Sequence, residues 1–126
     1  MLKGMNRNIL IVSTAILFFI HALEEYLTGF PNIDQSVRWL ADFFFVPPTQ
    51  AWLIVQFCVA IFLVLLFLAQ GRYIRRALWL VLLVIVFVEI THPVAAIAAR
   101  SYYPGLISSF AFIPLGWLIY KQGSNL

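Results

Sequence analysis

His21, Glu24 and Glu25 stand at i, i+3 and i+4, and Glu89 and His92 stand at i and i+3. On a helix each set shares one face. Imidazole and carboxylate suit divalent Zn, Fe or Mn better than soft Cu(I). In helical bundles such ions are held by Glu-x-x-His steps from facing helices. Glu89-x-x-His92 has that order and His21-x-x-Glu24 its reverse. The pattern predicts a metal site of His21, Glu24, Glu89 and His92. Glu25 is then a further ligand or the general base. Three carboxylates balance two divalent ions and one hydroxide. A single ion with two carboxylates and a protonated third is also neutral. The same groups suit metal-free proton chemistry, or the holding of a cation, because helical spacing does not distinguish these uses.

The surroundings make these residues conspicuous. The chain has 126 residues, 63% hydrophobic and 10% charged, against roughly 45–50% and 25% in ordinary chains. A core built from so short a chain cannot hide that much apolar surface from water. A small polytopic membrane protein is what remains. The single cysteine excludes a disulfide framework. The net charge of +3 reports orientation, and no nucleic-acid partner is expected. Three of the five acids fall inside apolar segments, where each ionisable group costs roughly 2.5–3.5 kcal/mol. Pairing two helices recovers only about 0.6–2 kcal/mol per polar contact, so a functional site explains them better than helix pairing does.

A spanning helix needs about 20 mostly apolar residues. Four segments meet or approach this, at about 9–28, 49–70, 77–99 and 104–120. The expected fold is an all-α, four-helix membrane bundle forming one domain. Gly29-Phe30-Pro31 should end the first helix, and Pro104 should open the fourth at a tolerated first-turn position. Pro93 should kink the third at the carbonyl of Glu89. Between the first two spans, Ile33, Val37, Leu40 and Phe44 recur at helical spacing. They predict an interfacial amphipathic helix at about 33–46, with Asn32 and Gln35 as a variant capping box and Trp39 and Phe43 as anchors.

Lys3, Arg7, Arg72, Arg75, Arg76 and Lys121 lie on one side of this arrangement, and Arg38 and Arg100 on the other. The positive-inside rule places both termini in the cytoplasm of a plasma-membrane protein. The first segment lacks a small-x-small cleavage site, so it should stay as a span. With a rise of 1.5 Å per residue, His21 and Glu89 lie about 18 Å up, and Glu24 and His92 about 22 Å. Gln56 of the second span falls at that height and should position a ligand or substrate. Ser108 and Ser109 lie nearby. The opposite half offers only Ser13 and Thr14, which can bond back to their own helix. Cys58 is expected as a small buried hydrophobe, Trp52, Tyr102 and Tyr103 as part of the aromatic belt, and Ala95 with Ala99 as a packing step.

The pentad His21-Ala22-Leu23-Glu24-Glu25 resembles that of the HXXEE family of small bacterial and archaeal integral membrane proteins. The likeness extends to Glu89-Ile90-Thr91-His92 and to Tyr103-Pro104-Gly105. It implies the fold and a role for His21, Glu24 and Glu25, with weaker support for His92, Pro104 and Gly105. It implies no reaction. The residues themselves lead to a membrane-embedded metalloenzyme hydrolysing or oxidising a lipophilic substrate. The alternatives are a metal-free acid/base lipid isomerase and a metal or cation binder or carrier. Membrane lipid is the expected surrounding partner. A chain this small is also suited to forming a homo-oligomer.

Overall fold

The computed structural model describes residues 7–123, so Lys3 lies outside the described residues. Seven helices follow one another: α1 (Arg7–Leu27), α2 (Phe30–Ile33), α3 (Gln35–Phe44), α4 (Pro48–Leu68), α5 (Arg72–Glu89), α6 (Thr91–Ala99) and α7 (Leu106–Gly123). No strand occurs among the described residues. Three helical rods are long and apolar enough to cross a membrane: Arg7–Leu27, Pro48–Leu68 and Arg72–Ala99, the last comprising α5 and α6. They suit a membrane protein. Much of their surface is apolar and exposed, including Phe19, Phe57 and Phe87, which water does not tolerate over so large an area.

The breaks follow from local chemistry. Gly29 sits at φ 84°, a left-handed conformation natural to glycine. It separates α1 from α2, and Pro31 falls in the first turn of α2 instead of ending α1. The cap of α3 is Asp34, not Asn32. The Asp34 side chain accepts from the Ser36 and Val37 amides, which a carboxylate at the N-cap does well. Pro48 occupies the first turn of α4. The rod of α5 and α6 is interrupted at Ile90. Pro93 has no N–H to offer the Glu89 carbonyl, so the break falls between Glu89 and His92.

The core runs along α1, α4, α5 and α7, where Leu10, Leu66, Leu82, Val86, Phe112 and Ile119 are almost fully buried. Trp79 donates from Nε1 to the Ile119 carbonyl at 2.7 Å, tying α5 to α7. A smaller cluster of Phe30, Val37, Ala41, Ala51 and Trp52 seats α2 and α3 on the start of α4. Two packing expectations fail. Cys58 is exposed: α4 is apolar on all sides, so its sequence pattern marks no inner face. In α6 it is Ala96 that is buried, while Ala99 is exposed.

Candidate functional site

α1 brings His21 and Glu25 to one point, and the broken α5–α6 rod brings Glu89 and His92 to the same point. His21 Nε2 lies 2.8 Å from Glu89 Oε2 and 3.5 Å from Glu25 Oε1. His92 Nε2 lies 3.4 Å from Glu89 Oε2 and 3.6 Å from Glu25 Oε1. One nitrogen or oxygen from each of the four residues lies within 4.8 Å of all the others. His21, Glu25 and His92 are buried, and Glu89 is nearly so.

The far sides of the two rings decide what they present to this centre. His92 Nδ1 is 2.7 Å from the Pro104 carbonyl, which can only accept, so Nδ1 carries the proton. His21 Nδ1 is 2.7 Å from Ser108 Oγ. The Ser108 hydroxyl gives its one proton to Glu24 Oε2, so it must accept from His21. In the neutral imidazole both Nε2 atoms therefore turn lone pairs inward. Two lone pairs and two carboxylate oxygens cannot face one another without a cation between them, either protons or a metal ion. Although Glu89 Oε2 is only 2.8 Å away, His21 Nε2 is a buried atom with no hydrogen-bond partner. The oxygen is near enough to share a proton with the ring nitrogen, so the centre can take either a proton or a metal ion.

The spacing suits a metal ion. Ligands at 2.0–2.1 Å from a tetrahedral ion are about 3.3–3.4 Å apart; the four His–Glu contacts bracket that value, while the spread over all six pairs extends to 4.8 Å. Glu25 would bind through Oε1. Its Oε2 is held by Trp52 Nε1 at 3.0 Å and by Gln56 Nε2 at 3.5 Å. Hydrogen-bonded partners behind each ligand are what orient such sites.

Glu24 does not join the cluster. It turns to the start of α7, where it accepts from the Ile107 amide at 3.0 Å and the Ser108 amide at 2.8 Å. It also accepts from the Tyr102 and Ser108 hydroxyls. Free amides at a helix N-terminus draw a carboxylate, and adjacent turns of α1 face different neighbours once α7 packs on that helix. Thus Glu24 supports His21 through Ser108, and is not itself placed to be a ligand. Gln56 is where its depth predicted, against Glu25.

Four contributors were not foreseen as such. Trp52 is buried against Glu25 instead of sitting in an aromatic belt. Ser108 links Glu24 to His21. The Pro104 carbonyl orients His92, and Pro104 itself precedes α7. Gly105 has φ 83°, and a Cβ there would meet His21 Cε1 at 2.6 Å and His92 Nδ1 at 2.8 Å. Only a glycine fits both the backbone and the space. The Pro-Gly pair signalled a turn; nothing local signalled that the turn touches both imidazoles.

Tyr103 is edge-on to His92, with ring centroids 5.6 Å apart, and its hydroxyl donates to Asp34 Oδ2 at 2.8 Å. Burial alone would raise the Asp34 carboxyl. Hydrogen bonds from the Ser36 and Tyr103 hydroxyls and the Val37 and Ser36 amides outweigh burial and hold it below the ordinary range. Burial and the adjacent Asp34 carboxylate push the Tyr103 phenol up.

These elements define a helical protein of membrane type with a buried two-His, two-Glu cluster near one end of its bundle. The chain belongs to the HXXEE family: the model described as "Protein of unknown function with HXXEE motif" matches residues 12–119. No curated protein and no solved structure matches it.

Proposed function

We propose that the chain is a four-span plasma-membrane protein holding one divalent ion, Zn, Fe or Mn, between His21, Glu25, Glu89 and His92. On this reading it hydrolyses or oxidises a lipophilic substrate. The observation that carries the proposal is the inward lone pair of His21, a buried atom without a hydrogen-bond partner among three further ligand atoms. Two carboxylates and one divalent ion are neutral, which a low-dielectric site favours. The departure of Glu24 from the cluster supports one ion over two.

α7, with 18 residues, is about 27 Å long and serves as the fourth span of a core about 30 Å thick. α3 lies in the interface, with Trp39 and Phe43 exposed and stacked 5.7 Å apart. Arg7, Arg72, Arg75, Arg76 and Lys121 mark the cytoplasmic end, opposite Arg38 and Arg100. The site then lies in the outer half, open to lipophilic molecules from the membrane plane. A bound divalent ion would polarise an oxygen of the substrate. Glu25 Oε2, held by Trp52 and more loosely by Gln56, would take or return a proton by giving up the long Gln56 contact, which frees Gln56 to orient the substrate.

Metal analysis of the purified protein tests this. About one Zn, Fe or Mn per chain is expected, falling sharply in His21→Ala. A substoichiometric content unchanged by that substitution overturns the proposal.

The 2.8 Å approach of Glu89 to His21 also favours a second reading, a metal-free acid/base lipid isomerase sharing a proton across that pair. Its activity would survive exhaustive chelation and vanish in Glu25→Gln. A cation carrier fits less well. In the other half of the bundle the Thr14 hydroxyl closes onto the Leu10 carbonyl at 2.7 Å, leaving little polar path. Gradient-driven uptake into liposomes would reverse that judgement.

A further inference from the structure

A groove on the membrane-facing surface ends at Gln56, which touches Glu25 of the cluster. It lies between α1 and α4, holds about 480 Å³, and runs from Ala22 and Gln56 at the site end to Ile11 and Leu68. Gln56 is its single polar lining residue. Among the described residues the Gln56 amide makes one hydrogen bond, the long one to Glu25. Its carbonyl oxygen is unused.

Resting on the proposed membrane placement, we infer that this groove binds the tail of a neutral, single-chain lipid whose alcohol, ester or amide head meets Gln56 beside Glu25. The dimensions select the tail. From Gln56 to Leu68 the helix rises about 18 Å. The groove volume over that length leaves a mean cross-section of about 27 Å², a third of the roughly 80 Å² of a helix 10 Å across. A hydrocarbon chain can lie within it, whereas a helix of a second copy could only rest across its mouth. The head is selected by chemistry. Gln56 offers one acceptor and one further donor, which match a hydroxyl or carbonyl. Glu25 and Glu89 stand just beyond, and no Lys or Arg lines the groove, which favours a neutral head over an acidic one.

A second groove supplies the control within the same molecule. It holds about 520 Å³ between α5 and α7, and no His, Glu or Gln lines it. If bulk lipid filled any such groove, the two would behave alike.

The test uses the full chain in phosphatidylcholine vesicles, photolysed with a diazirine-bearing long-chain alcohol, with adducts mapped by mass spectrometry. Adducts should concentrate on Val12, Ala60 and Val64 over Val84 and Ile113. Excess unlabelled alcohol should remove them, and the alkane of equal length should not. Gln56→Leu should reduce that preference for alcohol about fivefold, the factor given by one net hydrogen bond of about 1 kcal/mol. Ala60→Trp, at an exposed position, should abolish α1/α4 adducts while the α5/α7 background persists, which shows that the bundle is intact. Adducts spread evenly over both grooves, or a preference unchanged by Gln56→Leu, overturn the inference whether or not metal is bound. Concentrated, alcohol-selective adducts on protein that holds no metal sustain it and remove the metal reading alone.

Discussion

The Ser108 hydroxyl stands 2.7 Å from Nδ1 of His21, and it reaches that place from the first turns of α7 while donating to Glu24. A carboxylate, a hydroxyl and an imidazole thus form one chain with fixed donor order. The consequence at the far side of the ring is a lone pair facing Glu25, Glu89 and His92. Removing the hydroxyl should release the ring tautomer. If the cluster holds a metal ion as proposed, Ser108→Ala should weaken its binding about 10–100-fold, read by competition with a chelator, while Ser109→Ala leaves it near the parent value. Ser109 bonds its own helix at the Leu106 carbonyl, 2.7 Å away.

Two glycines with nearly the same dihedral should respond differently to alanine. Gly29 at φ 84° has open space around its missing Cβ, whereas Gly105 at φ 83° has both imidazoles against it. Gly29→Ala should cost about 1–2 kcal/mol, the left-handed backbone penalty alone. Gly105→Ala adds overpacking of typically 1–3 kcal/mol and, on the proposed metal-bound reading, should also reduce metal content. Thermal unfolding in detergent, with metal analysis alongside, separates the two. Equal losses would mean that the α6–α7 turn is not pressed against the cluster.

Trp52 should matter through its N–H as well as its bulk. Trp52→Phe keeps most of the ring and leaves Glu25 Oε2 without its 3.0 Å donor. A buried acceptor stripped of its partner costs about 1–3 kcal/mol. The expected thermal loss should exceed that of Trp39→Phe, since Trp39 is exposed.

Stability should depend on pH through Asp34 and Tyr103. The folded Asp34 carboxyl lies below its ordinary value of 3.8. Its contribution is therefore present above that pH and is lost as the pH falls below it. Tyr103 lies above its ordinary 10.0, so its contribution is present below pH 10.0 and is lost on further rise. Asp34→Asn should flatten the acid limb of a thermal-stability profile. It should also move the Tyr103 phenol titration, followed by ultraviolet absorbance, back toward the ordinary value. A phenol titration unmoved by Asp34→Asn would show that the two side chains do not meet in the membrane-bound protein.

The elements that position the site could be read from the chain because they rest on local rules. Continuous apolar runs mark rods, glycine and proline mark their breaks, and i, i+3, i+4 spacing marks shared faces. Hence the three long rods, the break near Pro93, the amphipathic α3 and the meeting of the first rod's His/Glu group with Glu89 and His92 could be anticipated, although Glu24 was expected among the ligands. Depth along a helix also follows from the fixed rise, which is why Gln56 falls where it was expected.

What spacing leaves open is which neighbour each face meets. Glu24 and Glu25 are adjacent in sequence and both lie near His21, and helical geometry alone treats them as equals. Packing separates them. α7 starts beside Glu24 and offers it two amides and the Ser108 hydroxyl, the loop before it adds the Tyr102 hydroxyl, and α4 brings Trp52 and Gln56 to Glu25. α4 is apolar all round, so its sequence could not say that Trp52 faces inward or that Cys58 faces outward. The residue types and their depth were determined along the chain, where each rule acts within a few residues. The roles of Glu24, Ser108, Trp52 and Gly105 were decided only in three dimensions, because each depends on a hydrogen bond or a close approach made by a different helix.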